Sequence, residues 1–138
     1  MSQSPRQHPD HVQSMMAADE ATLALGIELV AAGAGRAVAR MRVRAELENG
    51  HAIAQGRMVF ALADTAFGCA CNTWGPATVA SSAEIVFVAP ARLGDHLSAE
   101  APVRTRFGRH GLYDVTIRRG DDVIAEFRRR STSLKSSP

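Results

Sequence analysis

The residue best suited to chemistry is Asp64, the one charged side chain in the apolar run from 58 to 71. Burying an unpaired carboxylate is costly, because it loses more solvation free energy than apolar surroundings return. Proteins that keep such a group often use it as a general base or a nucleophile. The alternative is a structural acid, paired with an arginine or reached by water at a subunit junction.

The approach to this run, residues 49–57, offers a second kind of chemistry. Gly56 lies where a helix is predicted to begin, and glycine lets an outside group come close to the backbone. The first turn of a helix has N–H groups without internal partners and carries the positive end of the helix dipole. Aimed at a carbonyl oxygen, these N–H groups form an oxyanion hole.

The spacing of the two groups predicts how they would meet. Asp64 follows Gly56 by roughly 12 Å along a helix axis. One helix therefore keeps the acid far from the oxyanion hole. A second copy of the chain, facing the first, would bring Gly56 of one protomer to Asp64 of the other. The sequence thus predicts a homodimer with composite sites.

Apolar periodicity and turn residues predict the elements that position these groups. Short helical turns are expected near residues 9–16 and 19–25, and a helix wrapped on all sides is expected from 56 to 74. Six strands are predicted, at 27–32, 36–45, 78–89, 96–107, 111–119 and 123–132, the last four as a meander. One antiparallel sheet curled around one helix, an α+β fold, satisfies this order. The arginines at 118–119 and 128–130 are interpreted as solvated outer faces or edge protection.

Length and composition set the remaining bounds. The chain of 138 residues is expected to be one domain, 1–138, with flexible ends at 1–8 and 134–138. A net charge of +2 gives no general attraction to nucleic acid. The N-terminus lacks the apolar core of a signal peptide, and the 58–71 run is too short to span a bilayer. We therefore expect a soluble cytoplasmic protein with neither a nucleic-acid nor a membrane partner.

Two further features of the composition bear on binding. Cys69 and Cys71 are expected to be buried free thiols, because residues two apart on a helix point in different directions. No histidine lies within the same few turns, so no metal site is predicted there. All basic residues except Lys135 are arginines, whose planar fork suits phosphate and carboxylate partners. Codon bias in a GC-rich genome is the alternative explanation of this preference.

The segment from Asn49 to Asn72, NGHAIAQGRMVFALADTAFGCACN, resembles the hotdog-fold acyl-CoA thioesterases of the phenylacetate-degradation (PaaI) type. The likeness is collinear over about residues 20–132. It implies a hotdog fold, a homodimer whose sheets join, and usually a homotetramer. It also implies hydrolysis of an acyl-CoA, with an aryl-acetyl or hydroxylated aromatic acyl group, in phenylacetate degradation. No cofactor is implied, since coenzyme A is part of the substrate.

The resemblance also implies roles for individual residues. Asp64 matches the family's catalytic carboxylate, Gly56 its oxyanion-hole N–H, and Asn49 a polar residue near the attacking water. Where the family has His-Gly-Gly, this chain has Gln55-Gly56-Arg57. Gln55 can hydrogen-bond a thioester carbonyl or a water but cannot transfer a proton. Arg57 adds charge beside the oxyanion hole, where it either binds a substrate anion or obstructs the site.

Other residues are candidates for contacts with the substrate. Arg92, Arg106 and Arg109 lie in or near predicted turns and are candidates for the phosphates of coenzyme A, the alternative being plain surface arginines. Ser81 is a candidate that faces the partner's site, the alternative being a buried polar residue. His51 could replace the family's histidine, although a loop histidine is more often a surface residue.

Two other functions compete with hydrolysis. A hydratase of the same fold would need a paired histidine and acid, and Gln55 argues against it. A non-catalytic acyl-CoA-binding protein, either a sensor or a degenerate homologue, would keep the pocket and lose turnover. The change to Gln55-Gly56-Arg57 is the best support for this last alternative.

Overall fold

The computed structural model describes residues 10–44, 54, 56–74 and 78–134. Asn49, His51, Gln55 and nearly all of the two ends expected to be flexible lie outside the described residues. The elements, in chain order, are α1 (Asp10–Ala18), α2 (Glu20–Ala24), β1 (Glu28–Gly33), β2 (Arg36–Arg42), α3 (Gly56–Cys71), a 3-10 turn (Asn72–Trp74), β3 (Thr78–Phe87), β4 (His96–Phe107), β5 (His110–Arg119) and β6 (Asp122–Ser133).

The strands of the described residues form one sheet of six in the order β1-β2-β4-β5-β6-β3, and every neighbouring pair is antiparallel. The predicted meander of four strands is wrong for β3, which pairs with β6 and not with β4. Because α3 joins β2 to β3 across the face of the sheet, β3 enters at the edge opposite to β1. Among the described strands, β4, β5 and β6 form the meander.

The core lies between α3 and one face of the sheet. Leu62, Ala63 and Ala66 of the helix are fully buried, and their small or compact side chains allow close approach to the strands. The Phe67 ring meets the buried Tyr113 ring edge-on at 5.4 Å between centroids. Full burial of a side chain such as Leu62 stabilises the fold by about 1.5–3 kcal/mol. This packing fixes which face of α3 meets the sheet.

The N-terminal helical segments are confirmed. Asp19 caps α2 by accepting hydrogen bonds from the backbone N–H of Thr22 at 3.0 Å and from its hydroxyl at 2.6 Å. Gly26 ends the turn with a φ of 74°, a left-handed conformation that suits glycine. The Thr22 hydroxyl also lies 3.5 Å from the hydroxyl of Thr65 on α3. The capped turn therefore sits against the central helix, one residue away from Asp64.

Candidate active site

Asp64 lies two turns into α3, on a stripe of the helix that the sheet covers only in part. The prediction of a helix wrapped on all sides is wrong for this stripe within the single chain. Its partly exposed members are Phe60, Ala61, Asp64, Thr65 and Gly68. The Asp64 side chain is 47% exposed, so the carboxylate is half-buried and can be reached by a water or a substrate.

Asp64 is paired with an arginine of its own chain. The Nη1 of Arg129 donates a hydrogen bond to Asp64 Oδ1 at 2.5 Å. An ion pair with an arginine is the structural alternative to a catalytic role for Asp64. The exposure of the side chain nevertheless leaves the carboxylate open to solvent. Desolvation raises the pKa of the Asp64 carboxyl above its usual range, the positive charge of Arg129 acts to lower it, and Asp19 adds to the rise.

The interpretation of residues 128–130 as an outer, solvated face is wrong for Arg129. Its side chain is only 19% exposed and points toward α3, whereas Arg128 and Arg130 are exposed. Successive side chains of a strand point to opposite faces of the sheet. Arg129 lies two positions after Phe127, whose apolar side chain is buried against the helix. The apolar character of Phe127 could therefore have predicted that Arg129 lies on the helix side of the sheet.

Gly56 begins α3 at the edge of a cavity of 390 Å³. The lining is almost wholly apolar and consists of Ala54, Gly56, Val59, Phe87, Val88, Ala89, Pro90, Ala91 and Ile124. A hydrogen bond of 2.7 Å from the Ala54 N–H to the Ala91 carbonyl ties the approach to the helix to the loop after β3. The first turn of α3 thus opens beside an apolar cavity.

The candidate substrate residues fall into groups that lie far apart in one chain. Arg57 is exposed and adjoins Gly56. Arg92 is exposed next to Ala91 of the cavity, and its backbone N–H donates to Asp95 at 2.8 Å. These two arginines are therefore at the Gly56 end of α3.

Arg106 and Arg109 lie near the opposite end of the helix. The Arg106 guanidinium stacks on Trp74 at 4.1 Å from the ring centroid, and the Arg109 carbonyl accepts from the Ser133 N–H at 2.8 Å. The 16 residues of α3 span roughly 24 Å. Within one chain, the structure does not bring Arg106 and Arg109 together with Gly56.

Ser81 is exposed on the edge strand β3, at an irregularity in its pairing with β6. Its hydroxyl accepts a hydrogen bond of 2.9 Å from Arg130 Nε and lies 3.3 Å from the Arg130 carbonyl. The alternative of a buried polar residue is therefore wrong for Ser81. Its partner Arg130 points away from the face of β6 that carries Arg129, so Ser81 does not join Asp64 within one chain.

Comparison with known proteins shows the family of this chain. Residues 56–126 match the thioesterase superfamily. The acyl-coenzyme A thioesterase PaaI of Escherichia coli strain K12 is 40% identical over 122 residues, 88% of this chain and 87% of that protein. The chain belongs to the thioesterase superfamily.

Solved structures share the fold of this thioesterase. The E. coli PaaI protein from the phenylacetic acid degradation operon matches with a TM-score of 0.86 and 39% identity, covering 91% of each chain. A mutant of the phenylacetic acid degradation protein PaaI from Thermus thermophilus matches with a TM-score of 0.81 and 32% identity, over 84% of this chain and 100% of that chain. The predicted hotdog fold and family are confirmed.

The two cysteines of this thioesterase are free and buried, as predicted. Desolvation raises the pKa of each thiol to about 12, so neither is a nucleophile at neutral pH. Among the described residues, no three side chains of histidine, cysteine, aspartate or glutamate cluster as metal ligands would. No helix within the described ranges has the length and apolar character needed to cross a membrane.

Proposed function

We propose that this thioesterase hydrolyses acyl-CoA, with Asp64 as the catalytic carboxylate and the Gly56 N–H as the oxyanion-hole donor. The observation that carries the proposal is a half-exposed acid on the central helix, in a chain whose helix start opens beside an apolar cavity. The relative named as an acyl-coenzyme A thioesterase supports the substrate class. Coenzyme A enters as part of the substrate, and the proposed reaction uses no other cofactor.

The reaction follows from the chemistry of these groups. The N–H groups at the start of α3 polarise the thioester carbonyl and hold the charge that develops on its oxygen. Asp64 takes a proton from water as the water attacks, or attacks directly to form an anhydride that water then cleaves. The C–S bond breaks, coenzyme A leaves as a thiolate that takes up the proton, and the acid is released. Gln55 and Asn49 are proposed to hydrogen-bond the carbonyl and the attacking water.

We propose that the sites are composite, with Gly56 of one protomer acting with Asp64 of its partner. The separation of the two residues along α3, roughly 12 Å by rise, supports this arrangement. The edge strand β3 and the residue after it carry three exposed apolar side chains, Val86, Phe87 and Val88, exposed by 53–56%. Such an edge favours pairing with a second copy. A homodimer that assembles further to a homotetramer is proposed.

The acyl group is proposed to be aryl-acetyl or hydroxylated aromatic, in a cytoplasmic phenylacetate pathway. The apolar lining of the Gly56 cavity and the operon named for the E. coli relative support this choice. Arg57 and Arg92 are the candidates at this end for the phosphates of coenzyme A. Arg106, Arg109 and Ser81 remain candidates only for a site completed by the partner subunit.

Thiol release from a panel of acyl-CoAs tests the function. We expect hydrolysis with preference for phenylacetyl-type acyl groups, and loss of turnover in Asp64→Asn with the fold retained by circular dichroism. Tight binding without thiol release would instead identify a non-catalytic acyl-CoA-binding protein. An Asp64→Asn variant as active as the wild type would contradict the role of this carboxylate.

Complementation tests the composite site. Gly56→Pro removes the proposed donor and Asp64→Asn removes the acid, so each homodimer is expected to be inactive. In a mixed dimer, one of the two sites receives Gly56 and Asp64 intact if the site is shared between subunits. Random reassortment would then restore up to about a quarter of wild-type activity. If both residues of a site came from one chain, mixing would restore none.

A further inference from the structure

Arg129 occupies an unusual position for a cation. It lies on the helix side of β6 with its side chain 19% exposed. Its guanidinium carbon is 5.6 Å from the ring centroids of Phe60 and Phe67 and 5.8 Å from that of Phe127. Aromatic faces attract a cation at these distances. Three rings, from the helix and the strand, therefore hold the guanidinium in one place.

The charge of Arg129 is directed at Asp64. The Nη1–Oδ1 hydrogen bond of 2.5 Å is made on the protein side of the carboxylate, while 47% of the Asp64 side chain faces solvent. Among the described residues, the buried Nε of Arg129 has no hydrogen-bond partner. A buried cation with an unsatisfied donor is costly. Among the described residues, the Asp64 carboxylate is the one negative charge in contact with Arg129.

We infer that Arg129 is a positioning residue for the thioesterase reaction, holding the Asp64 carboxylate ionised and in a fixed orientation toward its open side. The inference rests on the function proposed for Asp64. A charge-assisted hydrogen bond fixes the orientation of a carboxylate better than a neutral one. The open side of Asp64 stays available to water or to the thioester.

Among the residues that the structure describes, the other groups around Asp64 act against its ionisation or are neutral. Burial disfavours the charged carboxylate, and Asp19, the cap of α2, raises the pKa of Asp64 further. The Cys71 thiol, whose pKa burial raises to about 12, remains protonated at neutral pH. Arg129 of β6 is the group that opposes these effects. Without it, Asp64 would take up a proton at a higher pH and lose its function as a base.

The test compares pH profiles of kcat/KM for the wild type, Arg129→Met and Arg129→Lys. Methionine fills the space among the rings without charge, and lysine restores the charge without the planar fork. Activity falls as the pH falls through the pKa of Asp64. Removing an opposite charge at this distance raises a carboxyl pKa by about 1–3 units. The acid limb of Arg129→Met should therefore move to higher pH by that amount, and that of Arg129→Lys by less.

Arg128→Met is the matched control. It removes an arginine–aspartate pair from the adjacent position of the same strand, on the exposed face, where Arg128 binds Asp114 at 2.7 Å and 2.9 Å. This variant should keep the wild-type acid limb. A folded Arg129→Met enzyme with an unshifted limb and unchanged kcat would overturn the inference and would show an ion pair of structural value only.

A direct titration keeps the two proposals separable. The Asp64 carboxyl can be followed by carbon-13 NMR, with its signal assigned by Asp64→Asn. If the wild type hydrolyses no acyl-CoA, the proposed function fails, yet the titration still tests the pair. A higher Asp64 pKa in the Arg129→Lys or Arg129→Met protein supports the inference. An unchanged pKa in a folded variant without the charge overturns it, and Arg129→Gln takes the place of Arg129→Met if the methionine variant does not fold.

Discussion

The indole N–H of Trp74 donates a hydrogen bond of 2.9 Å to the hydroxyl of Tyr113, which joins the end of the central helix to the middle of the sheet. Tyr113 is 1% exposed, while 43% of Trp74 faces solvent. The Tyr113 ring also meets Phe67 of α3 edge-on. The C-terminal end of the helix that carries Asp64 is therefore fixed to β5 by both a polar and an aromatic contact.

Tyr113→Phe should lower the free energy of unfolding by about 1–2 kcal/mol, because the hydroxyl also hydrogen-bonds Ser131 and each hydrogen bond has a net value of about 1 kcal/mol. The substitution removes only the hydroxyl and keeps the ring against Phe67. Urea denaturation gives the change in stability. Trp74 is the one tryptophan of the chain, so its fluorescence should also report the lost contact. Identical unfolding midpoints and emission spectra would show that the bond contributes nothing.

Gly35→Ala should be among the most destabilising single-methyl additions to this chain. Gly35 has a φ of 77°, and a Cβ there would lie 2.2 Å from Trp74 Cζ2. Gly120→Ala is the matched control, because Gly120 has a φ of 58° but nothing within 4 Å of an added Cβ. Both variants bear the left-handed strain of roughly 1–2 kcal/mol. Thermal unfolding should show a clearly larger loss for Gly35→Ala, and equal losses would contradict the steric effect.

The sequence predicted most of the local structure near the site. The glycine at 56 and the apolar run after it placed the helix start, and the family motif placed Asp64 on that helix. The pairing of β3 with β6 could not be predicted from local patterns, since it depends on where α3 leaves the sheet. The ion pair between Arg129 and Asp64 depends on this same long-range pairing and on the rotation of the helix. The alternation of side chains along β6 could have indicated which face of the sheet carries Arg129. It could not have indicated that Asp64 is the acid with which Arg129 pairs.

The two thiols should resist modification in the folded protein. Burial raises the pKa of Cys69 and of Cys71 to about 12, so only about one in 10,000 is a thiolate at pH 8. A disulfide reagent such as dithionitrobenzoate should react with neither thiol within minutes in the native state. In guanidinium chloride, where the pKa returns to about 8.5, both should react. Rapid reaction of a native thiol would contradict the burial of these side chains.

Asp114 should make stability depend on pH in the acidic range. Hydrogen bonds from Arg128 lower the pKa of its carboxyl below 3.8, and Arg104 contributes in the same direction. A lowered folded-state pKa gives stability that is present above the unfolded pKa and is lost as the pH falls through the folded pKa. Asp114→Asn should therefore cost less than about 1 kcal/mol at pH 7, and this cost should disappear once the pH falls below the folded-state pKa of Asp114.

The control for Asp114 is Asp121→Asn in the exposed turn between β5 and β6, which removes a carboxylate but not this ion pair. Urea unfolding from pH 2.5 to pH 7 should show a flatter acid dependence for Asp114→Asn than for the control. If the free energy of unfolding depends on pH equally in the two variants, the ion pair between Asp114 and Arg128 does not contribute to the loss of stability in acid.

The role of the Gly56 N–H can be isolated by comparing Gly56→Pro with Gly56→Ala. Both substitutions add a Cβ, which would lie 3.0 Å from Phe87 Cζ. The Phe87 ring is 53% exposed and can move to make room. Only proline removes the N–H, and proline is well tolerated at the first position of a helix. Both variants therefore carry the added Cβ, and Gly56→Pro differs from Gly56→Ala in having a ring carbon in place of the N–H that the mechanism uses.

If that N–H stabilises the oxyanion, Gly56→Pro should lower kcat by about 100- to 1,000-fold, while Gly56→Ala stays within several-fold of the wild type. Circular dichroism should show the same helix content in both variants, since the first N–H of a helix has no internal partner. Equal activity of the two variants would remove Gly56 from the mechanism. Equal and large losses would instead indicate that the added Cβ disturbs the apolar cavity through Phe87.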